Sequence, residues 1–290
     1  MKKILLLGAS GYMGKAFKSE IISRGYKIFT PKLAQINYCD FNILQKYIDK
    51  IEGIDFLINA AGFTGKPNVE QCEIQRDQTI KGNLLLPQML SHLSALYDFL
   101  WLQIGTGCIY EGDNNGVGYT EEDEPNFCFK FNNCSFYSGI KALTEEYLKK
   151  DPRCYVARLR IPFNEIDNPR NYISKLMFYQ KTYDNVNSLS HIGDYTRICM
   201  ELYEKKCETG IYNITNVGGI STRLVISMIK KILKPTRQFE YYKNDIEFYK
   251  IAKTPRSNCV LNVNKLHKVN ISIRSVEDAI HDTLKNWKYK

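Results

Sequence analysis

The residue types best suited to proton transfer lie in the middle of the chain. An apolar run of Phe99, Leu100, Trp101, Leu102 and Ile104 leads into Ile104-Gly-Thr-Gly-Cys-Ile-Tyr110, so a buried strand ends in small and reactive residues. Downstream, Tyr137-Ser-Gly-Ile-Lys141 sets a phenol and an ammonium four residues apart, and on a helix these share one face, one turn from each other. Thr106 and Tyr137 then make a hydroxyl pair suited to a carbonyl oxygen, with Lys141 keeping the phenol acidic. The thiol of Cys108 beside them raises a second possibility, because a thiolate is a competent base once a nearby cation draws its pKa down from about 8.5. An isolated cysteine at a strand end is more often packing than chemistry, and its neighbours turn the reading toward catalysis.

These residues need elements to position them. Ile4 to Leu7 is a continuous apolar run stopping at Gly8-Ala-Ser-Gly11-Tyr-Met-Gly14, after which Ala16, Phe17, Ile21 and Ile22 recur at helical spacing until Arg24-Gly25. Strand, glycine turn and helix in that order form a dinucleotide-binding unit: one glycine permits the turn, one lets a pyrophosphate reach the backbone, and one packs helix on strand. Gly8, Gly11, Tyr12, Met13 and Gly14 are the first cofactor candidates. The second strand, Lys27 to Thr30, lacks the acid that would hold ribose hydroxyls at its end. Lys32 there either meets a 2′-phosphate or is solvated, and the reading favours NADPH, with NADH possible. Asp40 either touches the adenine or caps a helix beginning near Ile43.

The strand Phe56 to Ile58 runs into Asn59-Ala60-Ala61-Gly62, a small-residue turn with room for the cofactor. A helix of about twenty residues is expected from Glu73, carrying Asn83 as a substrate candidate and interrupted by Pro87. Gly112 to Asn133 reads as a long polar loop with acids at 121 to 124, an edge of the substrate mouth. Ser135 to Lys149 is the helix of Tyr137 and Lys141, and Tyr155 to Leu159 the next strand. Alternating strands and helices predict an α/β, Rossmann-type, doubly wound parallel sheet. Ligands gather at the carboxyl ends of its strands, where Gly8, Asn59 and Thr106 fall. Beyond Arg160 loops lengthen, with helices at 171 to 181, 192 to 205, 221 to 233, 263 to 267 and 275 to 287 and a short strand at 210 to 215. The expected division is a cofactor domain over 1–160 and a smaller substrate-binding lobe over 161–290, possible interleaving included.

Composition excludes several classes. The chain has 290 residues, 44% hydrophobic and 24% charged, which is globular rather than disordered. No apolar run approaches the roughly 20 residues of a membrane helix, and the opening Met-Lys-Lys-Ile-Leu-Leu-Leu-Gly is too short for a signal peptide, so a cytoplasmic protein starting at Met1 is expected. Nine cysteines without a C-x-x-C pair read as reduced thiols. Four histidines without ligand spacing predict no metal. The net charge of +9 is scattered in short pairs, which favours an anionic small ligand over nucleic acid.

The glycine triplet, Asn59-Ala-Ala-Gly62, Thr106 and Tyr137-x-x-x-Lys141 together resemble the extended short-chain dehydrogenase/reductase family, which acts mainly on nucleotide sugars. Gly65-Lys-Pro-Asn-Val-Glu-Gln-Cys-Glu73, Thr106-Gly-Cys-Ile-Tyr110, Ser135-Phe-Tyr-Ser138, Asn168-Pro-Arg-Asn-Tyr-Ile-Ser-Lys175 and Pro255-Arg-Ser-Asn258 look like its bifunctional UDP-4-keto-6-deoxyglucose 3,5-epimerases/4-reductases, which form UDP-L-rhamnose. The resemblance implies that Tyr137 protonates the C4 oxygen while NADPH gives hydride to C4, and that Lys141 lowers the phenol's pKa and binds the nicotinamide ribose. It implies that Thr106 holds the same oxygen, that Cys108 and Lys175 serve epimerisation, and that Arg256 neutralises the UDP diphosphate, with Asn171 a weaker substrate candidate. The cation drawing down the Cys108 thiol would be Lys175 or the oxidised nicotinamide. Lys175 and Arg256 equally suit a solvated surface and a structural ion pair. The resemblance also implies a homodimer through helices around Gln75 to Leu96 and Ser135 to Lys149. Cys108 and Lys175 argue against a plain ketosugar reductase, and the complete Thr106, Tyr137, Lys141 set argues against a non-catalytic binding subunit.

Overall fold

A computed structural model describes residues 1–289. Strand β1 (Lys3–Leu7), helix α1 (Tyr12–Ser23), β2 (Lys27–Phe29), α2 (Phe41–Ile51) and β3 (Phe56–Asn59) follow the expected strand–helix alternation. The segment expected as one helix from Glu73 is instead α3 (Gln71–Ile74), α4 (Arg76–Ile80), a π-helical turn over Lys81–Leu85, and α5 (Leu86–Tyr97). Pro87 supplies the reason. It has no N–H for the carbonyl of Asn83 one turn earlier, and that carbonyl takes the hydroxyl of Thr144 at 2.6 Å instead. After β4 (Leu100–Thr106) come α6 (Phe136–Leu148) and β5 (Cys154–Leu159). Ser135 caps α6, its hydroxyl accepting the Ser138 N–H.

The remaining elements are short strands β6 (Pro162–Phe163), β7 (Lys181–Thr182), β8 (Val186–Asn187), β9 (Ser190–His191), β10 (Gly210–Asn213), β11 (Ile220–Ser221) and β12 (Glu240–Tyr241). Among them lie helices α7 (Tyr172–Phe178), α8 (Ile192–Glu204), α9 (Thr222–Leu233), α10 (Asp245–Tyr249), α11 (Asn264–Lys268) and α12 (Val276–Lys285). The helix expected over 171 to 181 stops at Phe178, and Lys181 pairs as a strand residue. No helix among the described residues is long and apolar enough to cross a membrane.

Two compact units result, and their segments interleave. One comprises Met1–Thr106, Ser135–Arg158 and Thr196–Tyr212, the other Gly107–Cys134, Leu159–Tyr195 and Asn213–Lys290. The chain passes between them after Thr106, Cys134, Arg158, Tyr195 and Tyr212. The first unit is built on a six-stranded parallel sheet in the order β10-β5-β4-β3-β1-β2. Its register aligns Leu7 with Asn59 and Asn59 with Gln103, and β4 runs on three residues further to Thr106. Ile4 to Leu7 and Phe56 to Ile58 are fully buried, as strands covered on both faces must be.

The second unit has its own apolar cluster, in which Phe163, Ile173, Leu189, Val225 and Ile280 are central. The loop expected to be a polar mouth over 112 to 133 is bound into this unit. Gly112 bridges to Cys259 and Tyr119 to Leu261, and Tyr110 stacks on Tyr119 with ring centroids 4.5 Å apart. Of its acids, Glu121 is buried and accepts the Asn213 N–H at 2.8 Å, while Asp123 accepts from Thr120. They are loop fasteners rather than a lip.

A charged cluster sits at the start of α8, where Asp194 accepts from Arg274 at 2.8 Å and from Asn216 at 2.9 Å, and His191 lies within 4 Å of both Asp194 and Glu165. Burial opposes the imidazolium, but the hydrogen bonds to Asp194 and Glu165 outweigh it and raise the His191 pKa. The His191 hydrogen bond is the main cause that lowers Glu165 to about 2. A raised folded-state pKa stabilises fully below the unfolded value of 6.5 and is lost as pH rises through the folded value. We predict that the urea midpoint falls between pH 6 and pH 8 and that His191→Gln flattens this part of the profile, as chemical denaturation across that range will show.

Candidate functional site

The cofactor candidates in the first unit are organised around backbone contact. Gly8 has φ +74, and a Cβ on it would lie 2.5 Å from the Ala61 nitrogen and 2.6 Å from the Ala60 carbonyl carbon. A Cβ on Gly14 would meet the Gly8 carbonyl oxygen. These glycines are demanded by close approach, so the turn presses on the small residues after β3. Asn59 fixes that second turn. It is fully buried, its Oδ1 accepts the Ala61 N–H at 3.1 Å, and its Nδ2 donates to Gln103 at 2.7 Å. The side chain thus fixes the Ala60–Ala61 turn.

Helix α1 begins at Gly11 with no side-chain cap and no acid in its first turn, where Tyr12 and Met13 lie half-buried. The first-turn N–H groups and the positive end of the helix therefore suit a pyrophosphate. The glycine cradle and the alanine turn together fit a dinucleotide. Lys32 is exposed just beyond β2, a placement compatible with a 2′-phosphate. Asp40 does what its second reading allowed: its Oδ1 accepts the Ile43 N–H at 3.0 Å and caps α2.

Thr106 ends β4 and is buried, Tyr137 lies half-buried in the first turn of α6, and Lys141 follows one turn later. The Lys141 Nζ, buried, donates to the carbonyl of Ile104 at 2.8 Å. This bond ties α6 to the strand two residues before Thr106 and fixes the ammonium on the Tyr137 side of the helix. Glu73 tightens the helix start by accepting the Phe136 N–H at 2.7 Å. Asn83, the substrate candidate on this segment, bonds both backbone groups of Phe63, accepting at 3.2 Å and donating at 2.7 Å, and so orders that loop.

In the second unit, Cys108 is partly exposed and its Sγ faces the guanidinium of Arg160, with Nη1 at 2.8 Å. Arg160 is 3% exposed. Its Nε and Nη2 both donate to Asn187 Oδ1, and Nη2 also donates to the Ser257 carbonyl. Nearby, Cys259 donates its thiol to the Gly107 carbonyl at 3.1 Å, and burial pushes its pKa up to about 11. Glu111 accepts the Asn258 N–H at 3.0 Å, and burial raises its pKa.

Lys175 lies mid-way along α7 and is half-buried. Burial first, then the charges of Arg170 and Arg256, lower its pKa. Three cations in one neighbourhood suit a polyanion, and Lys175, with its lowered pKa, is disposed to release a proton. Asn171, fully buried, caps α7 through Oδ1 and donates Nδ2 to the carbonyls of Asn164 and Ile166, and so builds the entry to the Lys175 helix.

Sequence reasoning missed Arg160 and Asn187. The signal for Arg160 was available, since an arginine closing an apolar run such as Tyr155-Val-Ala-Arg-Leu-Arg160 must find buried partners. Asn187 sits in a two-residue strand that no periodicity marks.

Over residues 1–289 the chain matches the family model described as RmlD substrate binding domain. It is 32% identical over 244 residues to the bifunctional dTDP-4-dehydrorhamnose 3,5-epimerase/dTDP-4-dehydrorhamnose reductase of Arabidopsis thaliana, a match covering 81% of this chain and 79% of that protein. It is 33% identical over 230 residues to a trifunctional UDP-glucose 4,6-dehydratase/UDP-4-keto-6-deoxy-D-glucose 3,5-epimerase/UDP-4-keto-L-rhamnose-reductase of the same plant, covering 77% of this chain but 34% of that longer relative. Among solved structures, the UDP-rhamnose synthase of Acanthamoeba polyphaga mimivirus is similar with a TM-score of 0.89 and 26% identity, covering 98% of this chain and 99% of that one. The dTDP-4-dehydrorhamnose reductase of Bacillus anthracis in complex with NADP shares the fold with a TM-score of 0.80 at 17% identity, over 99% of this chain and 98% of that one.

Because a left-handed backbone and a close approach coincide at Gly8, its replacement is expected to be selective. Gly8→Ala should weaken NADPH binding at least tenfold in a fluorescence titration. Gly25→Ala, also at positive φ but with open space around its Cβ, should cost only about 1 kcal/mol of stability and leave that affinity intact.

Proposed function

Because the chain belongs to the RmlD substrate binding domain family, we propose that it epimerises C3 and C5 of UDP-4-keto-6-deoxy-D-glucose and then reduces C4 with NADPH, giving UDP-L-rhamnose. The observation that carries this reading is the pairing of a complete reductase set, Thr106, Tyr137 and the Lys141 anchored on Ile104, with a thiol two residues past Thr106 in the chain. A reductase alone has no use for a base there. Bound NADPH supplies the hydride to C4.

The Tyr137 phenol donates its proton to the C4 oxygen as that hydride arrives, with the Lys141 ammonium stabilising the phenolate left behind and Thr106 holding the same oxygen by a hydrogen bond. During epimerisation the same two hydroxyls stabilise the enolate oxygen, so one oxygen site serves both reactions. The Cys108 thiolate takes the carbon-bound proton next to the ketone, and the Lys175 ammonium, its pKa lowered by burial and by Arg170 and Arg256, returns one to the opposite face. Arg256 with Arg170 attracts the diphosphate. The exposed Leu85 ending the π-helical turn, Leu96 on α5, and Leu143 and Tyr147 on α6 support a homodimer.

Purified protein given UDP-4-keto-6-deoxy-D-glucose and NADPH should yield UDP-L-rhamnose by chromatography and NMR, and release of only the unepimerised 4-reduced sugar contradicts the proposal. Tyr137→Phe should lose reduction by at least a hundredfold. Cys108→Ala should still reduce a pre-epimerised ketosugar at near the parent rate while failing on the unepimerised one.

A further inference from the structure

Arg160 carries a charge that the protein must balance. Its guanidinium is almost wholly buried, and two of the acceptors around it, the Asn187 amide oxygen and the Ser257 carbonyl, are neutral. A buried guanidinium facing only neutral oxygens is costly, and arginine cannot shed its proton to escape that cost. The other groups bearing on its charge are Cys108, Cys259 and Glu111, and it in turn acts on Tyr172.

Three of those four are poorly placed to be the counter-ion. The Cys259 thiol donates its proton to the Gly107 carbonyl, and burial holds it neutral. Glu111 bears on Arg160 through its charge, but its Oε2 accepts from the Asn258 backbone and the guanidinium N–H groups go to Asn187, Ser257 and Cys108 instead. Burial pushes Tyr172 up to about 12. The Cys108 sulfur is the group at which a guanidinium N–H is aimed, at 2.8 Å, so here sulfur accepts a charge-assisted hydrogen bond. The two cysteines are thus opposite in role, one donating to a carbonyl and one accepting from a cation.

We propose that Arg160, held in place by Asn187 and Ser257, is the positioning residue that keeps Cys108 as a thiolate at neutral pH, so that the base for proton abstraction exists before any substrate arrives. The inference rests on the reading above that Cys108 is that base. On ionisation the thiol proton leaves to solvent. In turnover the thiolate takes the proton from carbon and becomes the thiol, the negative charge passes to the enolate oxygen, and the ionised form is restored by proton loss to water. Arginine is suited to this post and histidine is not, since it offers a fixed charge without competing for the proton.

The test is the pH dependence of Cys108 alkylation by iodoacetamide in the full chain, followed by peptide mass spectrometry so that the other eight cysteines are scored separately. The expected midpoint in the parent protein lies at least one pH unit below the free-thiol value of about 8.5. Arg160→Gln should raise it by about one unit or more, slowing alkylation at pH 6.5 roughly tenfold, while Arg160→Lys, which keeps the charge, should restore most of the loss. Asn187→Asp, which gives the guanidinium a competing carboxylate, should raise the midpoint without touching Arg160. A parent midpoint at or above the free value overturns the proposal whether or not any variant folds, and so do unchanged midpoints in both Arg160→Gln and Asn187→Asp. If the parent makes UDP-L-rhamnose while Cys108 titrates as a free thiol, this inference fails and the functional reading stands; a low, Arg160-dependent midpoint in a protein that never epimerises gives the reverse.

Discussion

The second unit is arranged around one buried positive charge. To leave Arg160 3% exposed, the fold must bring an amide from β8, a carbonyl from the 257 segment and a sulfur from the stretch after β4 to the same guanidinium. Removing any one of them strands a charge in a low-dielectric setting, where a broken buried pair typically costs about 3–5 kcal/mol. The requirement reaches further through shared partners. Asn187 Oδ1 also accepts the Cys259 N–H, its Nδ2 bonds Asn185 and Asn258, and Asn258 in turn donates to Glu111. The loop carrying Arg256 and the strand stub carrying Asn187 are therefore ordered by the same network that faces the thiol.

The first unit follows a different rule, in which buried side chains fix the backbone of the candidate cofactor cradle. Asn59 sets the Ala60–Ala61 turn, Gly8 approaches that turn too closely for any Cβ, Asn83 holds both polar groups of Phe63, and Lys141 holds the carbonyl of Ile104. Several of these polar residues carry chemistry only by proxy. Their burial makes the surfaces of the cradle rigid, which suits a site whose donors are main-chain N–H groups at the start of α1.

How much of this could be read from the residues alone depended on whether the signal was local. Glycine spacing after an apolar run, a serine before a helix and a tyrosine–lysine pair one turn apart are local, and the parallel sheet, the α6 cap at Ser135 and the placement of Gly8, Thr106, Tyr137 and Lys141 follow from them. The helix from Glu73 was misjudged because the effect of Pro87 is felt at Asn83, where a partner from α6 takes over the orphaned carbonyl. The acids at 121 to 124 look like a solvated lip, yet Glu121 is turned inward to Asn213, ninety-two residues away. The amides of Asn83 and Asn171 look available in the sequence, while in the fold they bond the backbone of Phe63 and of Asn164, Ile166 and Ile173. Arg160 was passed over for the converse reason, since charge at the end of a strand reads as surface until its partners, from 108, 187 and 257, are seen together.

In the proposed function a single chemical economy would connect the two reactions: the ketone that acidifies its neighbouring carbons is the group later reduced, so proton exchange would precede hydride transfer and leave a permanent record in the product. The most direct test is to run the reaction in deuterium oxide with UDP-4-keto-6-deoxy-D-glucose and unlabelled NADPH and to locate the isotope in the sugar by NMR. The account predicts deuterium at C3 and C5 and protium at C4. A product that keeps protium at C3 and C5 contradicts it.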